Sequence, residues 1–240
     1  MRNLMLENYR KVKVKEGKKS LYRLFQTTTI LLMPIIIITL SLNLVFRSEE
    51  VFSYYLNESE NLYNTNITLS NAEMSAKMGD FFLSFSDDVN INIDNGYSVD
   101  PVFNDKEEQF LLDFRDKLNF ITLIGLGALV VEVIAYLYMI KRRGKEQLFL
   151  AYQLSMFVTG IITIALDILM FVSSLYKKSL GFVSAAHLSK KANLGILILN
   201  DDYSHFIGYT QTIFTVILAL AFLYITYKLT RRKVLFVKQY

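Results

Sequence analysis

Four long stretches with almost no charged side chains place the strongest constraint on this chain. The stretches are residues 24–46, 118–140, 147–176 and 206–227. Two of them carry no charge, and the other two carry only Glu132 and only Asp167, respectively. A helix needs about 20 residues to cross a hydrocarbon core of about 30 Å, and each stretch is at least that long. Because the stretches are continuously apolar and do not alternate as barrel strands do, we expect an all-α polytopic membrane protein with four transmembrane helices.

The positions of Lys and Arg predict the orientation of these helices. Residues 1–23 hold eight basic and two acidic side chains, the loop 141–146 holds four and one, and the tail 228–240 holds five and none. Residues 47–117, named the acidic segment below, hold fifteen acidic and five basic side chains. We therefore expect a protein of the cell membrane with both termini on the cytoplasmic side, and with the acidic segment and the loop 177–205 outside.

The composition also argues against several classes of function. The formal net charge is +4, but the basic side chains are divided among three short segments beside the predicted helices, which is the distribution that membrane topology requires. A nucleic-acid partner is therefore not expected. The chain has no cysteine, which excludes disulfides and thiolate chemistry. It also lacks a phosphate-binding loop, a His-Glu-x-x-His motif and a nucleophile elbow, so soluble hydrolase and kinase functions have no support.

The acidic segment contains signals for a small folded domain. Ser70 followed by Glu73 is a capping box, and apolar residues at helical spacing predict a helix near 71–85 with one core-facing side. Residues 89–93 alternate, and a turn signal at Asn95-Gly96 predicts a short hairpin. We therefore expect a small α+β extracytoplasmic domain between the first two transmembrane helices.

A second capping signal lies where this domain meets the membrane. Asn104 followed by Glu107 marks a helix start, and no Gly or Pro follows until Gly125. Residues 105–140 should therefore form one helix that begins in the acidic segment and continues as the second span.

Two carboxyl groups fall within predicted spans, where an ionised carboxylate costs about 2.5–3.5 kcal/mol. Glu132 and Asp167 have two interpretations. Either they belong to a proton or ion path, or each is a neutral carboxyl that bonds a neighbouring helix. No basic side chain lies within a span to pair with them, and this favours neutral carboxyls in interhelical hydrogen bonds.

The two histidines of the chain, His187 and His205, lie in the same predicted outer loop. Histidine is the side chain whose unperturbed pKa suits general base catalysis near neutral pH. Two histidines in one short loop therefore form a candidate site, although a structural role is equally compatible with the sequence. Lys190 and Lys191 in the same loop would lie at the level of lipid headgroups.

Several local strings resemble the Gram-positive lipoprotein intramolecular transacylases, a family of four-span membrane proteins. The string FNDKEEQFLLDF matches the family's motif before the second span at Phe103, Glu107 and Asp113. In GFVSAAH, His187 stands where the family's second histidine would stand. The order of spans is similar along the whole chain. Phe110, however, occupies the position of the family's first catalytic histidine, and phenylalanine cannot move a proton.

This resemblance implies an acyl shift within a diacylglyceryl lipoprotein, from an ester on the glyceryl group to the α-amino group of the N-terminal cysteine. The partners would be membrane lipid and diacylglyceryl lipoproteins, and no cofactor is implied. We assign His187 as the base, with Asp113 orienting it or His205. These three residues are the candidate catalytic groups.

The remaining candidate residues would bind the substrate. Lys190 or Lys191 would lie near the lipid phosphate or the oxyanion, and Glu107 and Phe110 would line the site. The alternative is a catalytically inactive relative, an accessory membrane protein in which Phe110 fills the former site. A proton-coupled transporter is a third interpretation, and it would require Glu132 and Asp167 to face one another across a polar path.

Overall fold

The computed structural model describes residues 2–59, 69–84, 89, 91–94, 99–141, 144–172 and 201–230. These residues form helices and one pair of short strands. The helices are α1 (Arg2–Arg47), α2 (Glu49–Ser59), α3 (Asn71–Leu83), α4 (Asp105–Lys141), α5 (Lys145–Phe171) and α6 (Asp201–Thr230). The strands are β1 (Asn92–Asp94) and β2 (Val99–Pro101).

Four helices are long and apolar enough to cross a membrane. They are Leu21–Arg47 within α1, Asp105–Lys141, Lys145–Phe171 and Asp202–Thr230 within α6. Large apolar side chains on these helices face outward, including Phe157 at 71% and Leu123 at 67% exposure. Such a surface is unfavourable in water and suited to lipid. The four predicted spans are confirmed, and the chain is a multi-pass integral membrane protein.

Two details of the first and third spans can be compared with the sequence. Pro34 lies inside α1, and the helix continues through it. The third span was predicted to reach residue 176, but α5 ends at Phe171. Residues 173–176 lie outside the described part of the chain.

The prediction of one helix over residues 105–140 is confirmed. Helix α4 runs from Asp105 to Lys141 without a break. The Asn104 backbone N–H donates to Glu107 Oε2 at 2.9 Å, and the Glu107 N–H donates to Asn104 Oδ1 at 3.1 Å. This reciprocal pair is a capping box, and it fixes the start of the helix.

The acidic segment is mainly helical where it is described. The Ser70 hydroxyl accepts from the Glu73 N–H, and the Glu73 carboxylate accepts from the Ser70 N–H, so the predicted capping box begins α3. Asn71 Nδ2 donates to Leu56 O at 3.3 Å and to Asn57 Oδ1 at 2.9 Å, which ties α3 to α2. The predicted apolar side of α3 is buried core. Its buried apolar residues are Met74, Met78, Phe81 and Phe82.

The predicted hairpin is present, but the predicted α+β domain is not supported. Strands β1 and β2 are antiparallel, with Asn92 opposite Pro101, and each has only three residues. Val89 and Ile91 precede β1 and are buried in a core made largely of helical residues. Their alternation therefore reflects packing against helices, and among the described residues of the acidic segment this hairpin is the only strand structure.

The chain divides into two compact units. The described residues of unit 1 fall within Met1–Ile37, Leu126–Ile161 and Leu218–Tyr240, and those of unit 2 fall within Ile38–Gly125 and Ile162–Ile217. The core of unit 1 is formed by apolar residues of the long helices, including Met33, Ile37, Met139 and Leu148. The core of unit 2 joins the acidic segment to neighbouring helix ends, with Leu56, Met74, Phe103, Leu111 and Ile207 among its buried members.

Candidate functional site

The start of α4 carries two of the predicted substrate-binding residues, and both are buried. Glu107 is 2% exposed and its carboxylate caps the helix, as described above. Phe110 is 5% exposed. Its ring is nearly parallel to that of Phe114, with an interplanar angle of 8° and a centroid distance of 6.3 Å. The structure thus gives Glu107 a capping role and gives Phe110 a place in the core.

Phe114 extends this aromatic packing to two other elements. Its ring meets Phe46 of α1 edge to face at a centroid distance of 5.2 Å, and meets Phe82 of α3 in the same manner at 5.7 Å. Edge-to-face pairs contribute about 0.5–1.5 kcal/mol beyond the area that they bury. Phe110 therefore belongs to an aromatic cluster of Phe46, Phe82, Phe110 and Phe114.

A crevice of about 850 Å³ lies beside this cluster, between α1, α4 and α5. Phe46 and Phe114 contribute to its wall, so the crevice and the aromatic cluster share two side chains. Most of the lining is apolar. The other apolar lining residues are Leu42, Leu118, Phe120, Ile121, Leu166, Leu169 and Met170. Its volume is within the range of about 300–1,000 Å³ typical of ligand sites.

Three charged residues of α4 complete the lining of the crevice. Asp113, Asp116 and Lys117 lie three and four residues apart, so they share one side of the helix. All three are exposed, and Asp113 Oδ1 accepts from Gln109 Nε2 at 3.2 Å. Because the residues that follow them along α4 are apolar, the charges form a rim at one end of the crevice.

A polar network next to the crevice was not predicted from the sequence. Arg47 Nη2, at the end of α1, donates to Asn119 Oδ1 at 2.7 Å and lies 3.4 Å from Thr122 Oγ1. Thr122 Oγ1 in turn donates to Asn43 Oδ1 at 2.9 Å. These bonds join α1 to α4 and hold in place the wall formed by Leu42 and the residues around it. The sequence signal was available, since an Arg closes an otherwise uncharged span.

A buried arginine was also missed. Arg115 is 3% exposed, and its guanidinium carbon lies 5.1 Å from the centroid of the Phe81 ring. A cation over an aromatic face is attracted by the ring quadrupole. Arg115 follows the buried Leu111 by four residues, so its place on the core-facing side of α4 could have been read from helical spacing.

The predicted catalytic residues are not assembled by the part of the structure that is described. Asp113 lines the crevice, whereas His205 of α6 packs its ring on Phe171 at a centroid distance of 5.0 Å. The Nε2 atom of His205 lies 3.4 Å from the Phe171 carbonyl oxygen. Within the described residues no hydrogen bond joins Asp113 to His205. His187, Lys190 and Lys191 lie outside these residues.

Both intramembrane carboxyl groups accept a hydrogen bond from a threonine of another helix. Thr29 Oγ1 of α1 donates to Glu132 Oε1 at 3.0 Å, and Thr212 Oγ1 of α6 donates to Asp167 Oδ1 at 2.6 Å. The interhelical hydrogen bonds favoured by the sequence are therefore present.

Across residues 2–59, 69–84, 99–141, 144–172 and 201–230, no three His, Asp or Glu side chains are placed to share a metal ion.

Comparison with known proteins adds no assignment. No family model, curated protein or solved structure matches this chain. The likeness to the transacylases therefore rests on the short strings around Phe103, Asp113 and His187 and on the order of spans.

Proposed function

We propose that this chain is a membrane protein that binds the acyl chains of a diacylglyceryl lipoprotein without transferring them. It would thus be an accessory relative of the transacylases that it resembles. One observation carries this proposal. An apolar crevice with a charged rim is lined by Phe114, and the Phe114 ring stacks on the buried ring of Phe110. In the motif resemblance, Phe110 stands at the position of the family's catalytic histidine.

The crevice has the chemistry that a lipidated ligand requires. Its apolar walls come from three membrane-spanning helices, so acyl chains could enter from the bilayer without exposing methylene groups to water. The rim offers the carboxylates of Asp113 and Asp116 and the ammonium of Lys117 to polar groups of the ligand. A diacylglyceryl cysteine carries a free α-amino group and ester oxygens at the same end, and these groups suit such a rim.

The distribution of charge supports a position near the outer surface. The basic segments 1–23, 141–146 and 228–240 favour cytoplasmic placement, and the acidic segment favours the outside. Asp113, Asp116 and Lys117 lie at the end of the acidic segment. In this orientation the rim is level with the headgroups of the outer leaflet, where lipoproteins are anchored.

Photocrosslinking tests the binding. The full-length protein in lipid nanodiscs is mixed with a synthetic diacylated lipopeptide that carries a photoreactive group on one acyl chain. Illumination should label residues of α1, α4 and α5 that line the crevice, and unlabelled lipopeptide should compete. Leu169→Trp, which fills the crevice, should reduce the labelling severalfold. Leu123→Trp is the matched control, because Leu123 is 67% exposed and lies outside the crevice. Equal labelling of the two variants would mean that the lipid simply coats the helices.

Intramolecular transacylation is the second candidate, and the place of Asp113 in the crevice lining favours it. In this reaction His187 removes a proton from the α-ammonium group, and the amine nitrogen attacks an ester carbonyl carbon. The carbon–nitrogen bond forms, the carbon–oxygen ester bond breaks, and the glyceryl oxygen takes up a proton. The substrate and the lyso product have the same mass, so fragmentation spectra must show which atom carries the acyl chain.

Substitutions separate the two candidates. If His187 is the base, His187→Ala should lower product formation by about 10²–10⁴-fold. Phe110→His would restore the family residue, and in a working transacylase it should raise activity. An accessory protein should yield no N-acylated lyso lipoprotein in either its original form or the Phe110→His form.

A further inference from the structure

The carboxyl group of Glu132 on α4 has hydroxyl groups as its polar neighbours among the described residues. The side chain is 3% exposed and lies in unit 1, within a membrane-spanning helix. Thr29 Oγ1 donates to Oε1 at 3.0 Å, while Oε2 is buried and has no hydrogen-bond partner among the described residues. A charged carboxylate at such a depth costs about 2.5–3.5 kcal/mol, so this geometry favours the neutral form.

The neighbours of this carboxyl group come from each long helix of unit 1. The Tyr152 hydroxyl of α5 lies near the carboxyl group and near Thr226 of α6. Tyr136 follows Glu132 by four residues on α4, so the two side chains share a side of that helix. Tyr152 is the titratable group that acts on the carboxyl group among the described residues, and no charged side chain acts on it there. The Tyr136 ring packs on that of Tyr152 at a centroid distance of 6.3 Å, so Glu132 and Tyr136 have Tyr152 as a common neighbour.

The hydrogen bond with Thr29 engages Oε1 and leaves Oε2 for a second bond. With the threonine hydroxyl as the donor, Oε1 accepts as a carbonyl oxygen does. A neutral carboxyl has one O–H donor, and a proton on Oε2 is compatible with this arrangement. That donor needs an acceptor, because a buried polar group without a partner costs about 1–3 kcal/mol.

A second buried group nearby has the same need. The Tyr136 hydroxyl is buried and has no hydrogen-bond partner among the described residues. A hydroxyl group both donates and accepts. A single water molecule can bridge two such groups, since buried waters typically make about three hydrogen bonds to polar groups that would otherwise lack partners.

We propose that Glu132 is a proton-binding site inside the membrane, with its proton on Oε2 bonded to a buried water that Tyr136 shares. When the site releases its proton, the O–H bond breaks, the electron pair stays on the carboxylate and the proton passes to that water. The resulting charge lies among Thr29, Tyr136, Tyr152 and Thr226, with no cation among the described residues to balance it. Unit 1 is therefore most stable with the site protonated. This inference does not depend on the proposed lipid binding.

Infrared spectroscopy of the full-length protein in lipid bilayers tests the proposal, with difference spectra taken between the original protein and each variant. At neutral pH the spectrum should contain the carbonyl band of a protonated carboxyl, and the band should shift in D₂O. Glu132→Gln should remove that band, while Asp167→Asn, the matched control for the other intramembrane carboxyl group, should leave it. Tyr136→Phe should move the Glu132 band to higher frequency because the water loses a partner. Tyr138→Phe should leave it in place.

Three results would overturn the proposal. A carboxylate band from Glu132 at neutral pH would show that the site holds no proton. A carboxylate band that grows as sodium is added would identify a cation site in its place. If the Glu132 band were the same in Tyr136→Phe as in the original protein, the shared water would be wrong. Because Glu132→Gln retains a neutral group that can both donate and accept, it should fold and leave these readouts measurable.

Discussion

Phe110 and Phe114 lie one helical turn apart on α4 with their rings nearly parallel, at an interplanar angle of 8° and a centroid distance of 6.3 Å. Both rings belong to the buried core of unit 2, and Phe114 also forms part of the crevice wall. The pair therefore connects the crevice to the core. In the motif resemblance, Phe110 stands where the transacylase family has a histidine that transfers protons.

The first prediction concerns the core role of Phe110. Phe110→Ala should lower the free energy of unfolding by about 3–5 kcal/mol, because it removes a buried ring and leaves a cavity. Denaturant unfolding of the full-length protein in detergent micelles measures this. Phe120→Ala is the control, since Phe120 is 64% exposed and should tolerate truncation with little loss. Equal losses for the two variants would contradict the buried placement.

The second prediction concerns the close approach of α1 and α4 in unit 2. A Cβ atom at Gly125 would lie 2.8 Å from Thr39 Cβ, which is closer than real atoms pack. Gly125→Ala should therefore cost about 1–3 kcal/mol of stability through overpacking. At Gly127 a Cβ would meet nothing within 4 Å. Gly127→Ala should be neutral or stabilise by up to about 1 kcal/mol, and the same unfolding assay compares the two.

The third prediction is a pH effect at the start of α3. Hydrogen bonds from the Ser70 N–H and hydroxyl lower the pKa of the exposed Glu73 carboxyl. The folded-state pKa is below the unfolded value, so the cap stabilises the helix above about pH 4.3. Its contribution is lost as the pH falls through the lowered value.

Amide hydrogen exchange at residues 70–74 follows this loss directly. Exchange should speed up on acidification beyond the intrinsic chemical dependence. Glu73→Gln should flatten the response, because a carboxamide oxygen accepts the same bond but does not titrate over this range. An unchanged pH response in Glu73→Gln would show that the carboxylate is not responsible.

These local features were predicted from the sequence because they depend on residues close together in the chain. The four spans follow from charge-free runs, and the helix starts at Ser70 and Asn104 follow from a polar residue with Glu three positions later. The hairpin was predicted too, but its extent was not. Val89 and Ile91 alternate as strand residues do, yet they pack among helices, and only tertiary contacts decide between those outcomes.

The candidate site was less predictable from the sequence, because it also depends on tertiary contacts between residues far apart in the chain. Asp113 was chosen from the sequence and does line the crevice, whereas Glu107, also chosen, serves as a helix cap. The network around Arg47 joins residues more than seventy positions apart, and no local pattern gives its partners. The proposed roles of His187, Lys190 and Lys191 rest on the sequence alone.

The fourth prediction concerns topology, and it rests on the positions of the basic segments. In intact cells, a membrane-impermeant amine reagent should modify Lys77 and Lys106 of the acidic segment and leave Lys145 unmodified. After the membrane is permeabilised, Lys145 should react as well. Labelling of Lys145 in intact cells at the rate of Lys106 would reverse the proposed orientation.

The fifth prediction tests the central claim most directly, by fragmentation mass spectrometry of a diacylated lipopeptide recovered from the full-length protein in nanodiscs. We predict that the protein retains the lipopeptide, that Leu169→Trp retains severalfold less, and that both acyl chains of the recovered lipopeptide are still on the glyceryl group. Failure to retain the lipopeptide would contradict lipoprotein binding. Recovery of an N-acylated lyso form would contradict the non-catalytic account and identify the chain as a transacylase.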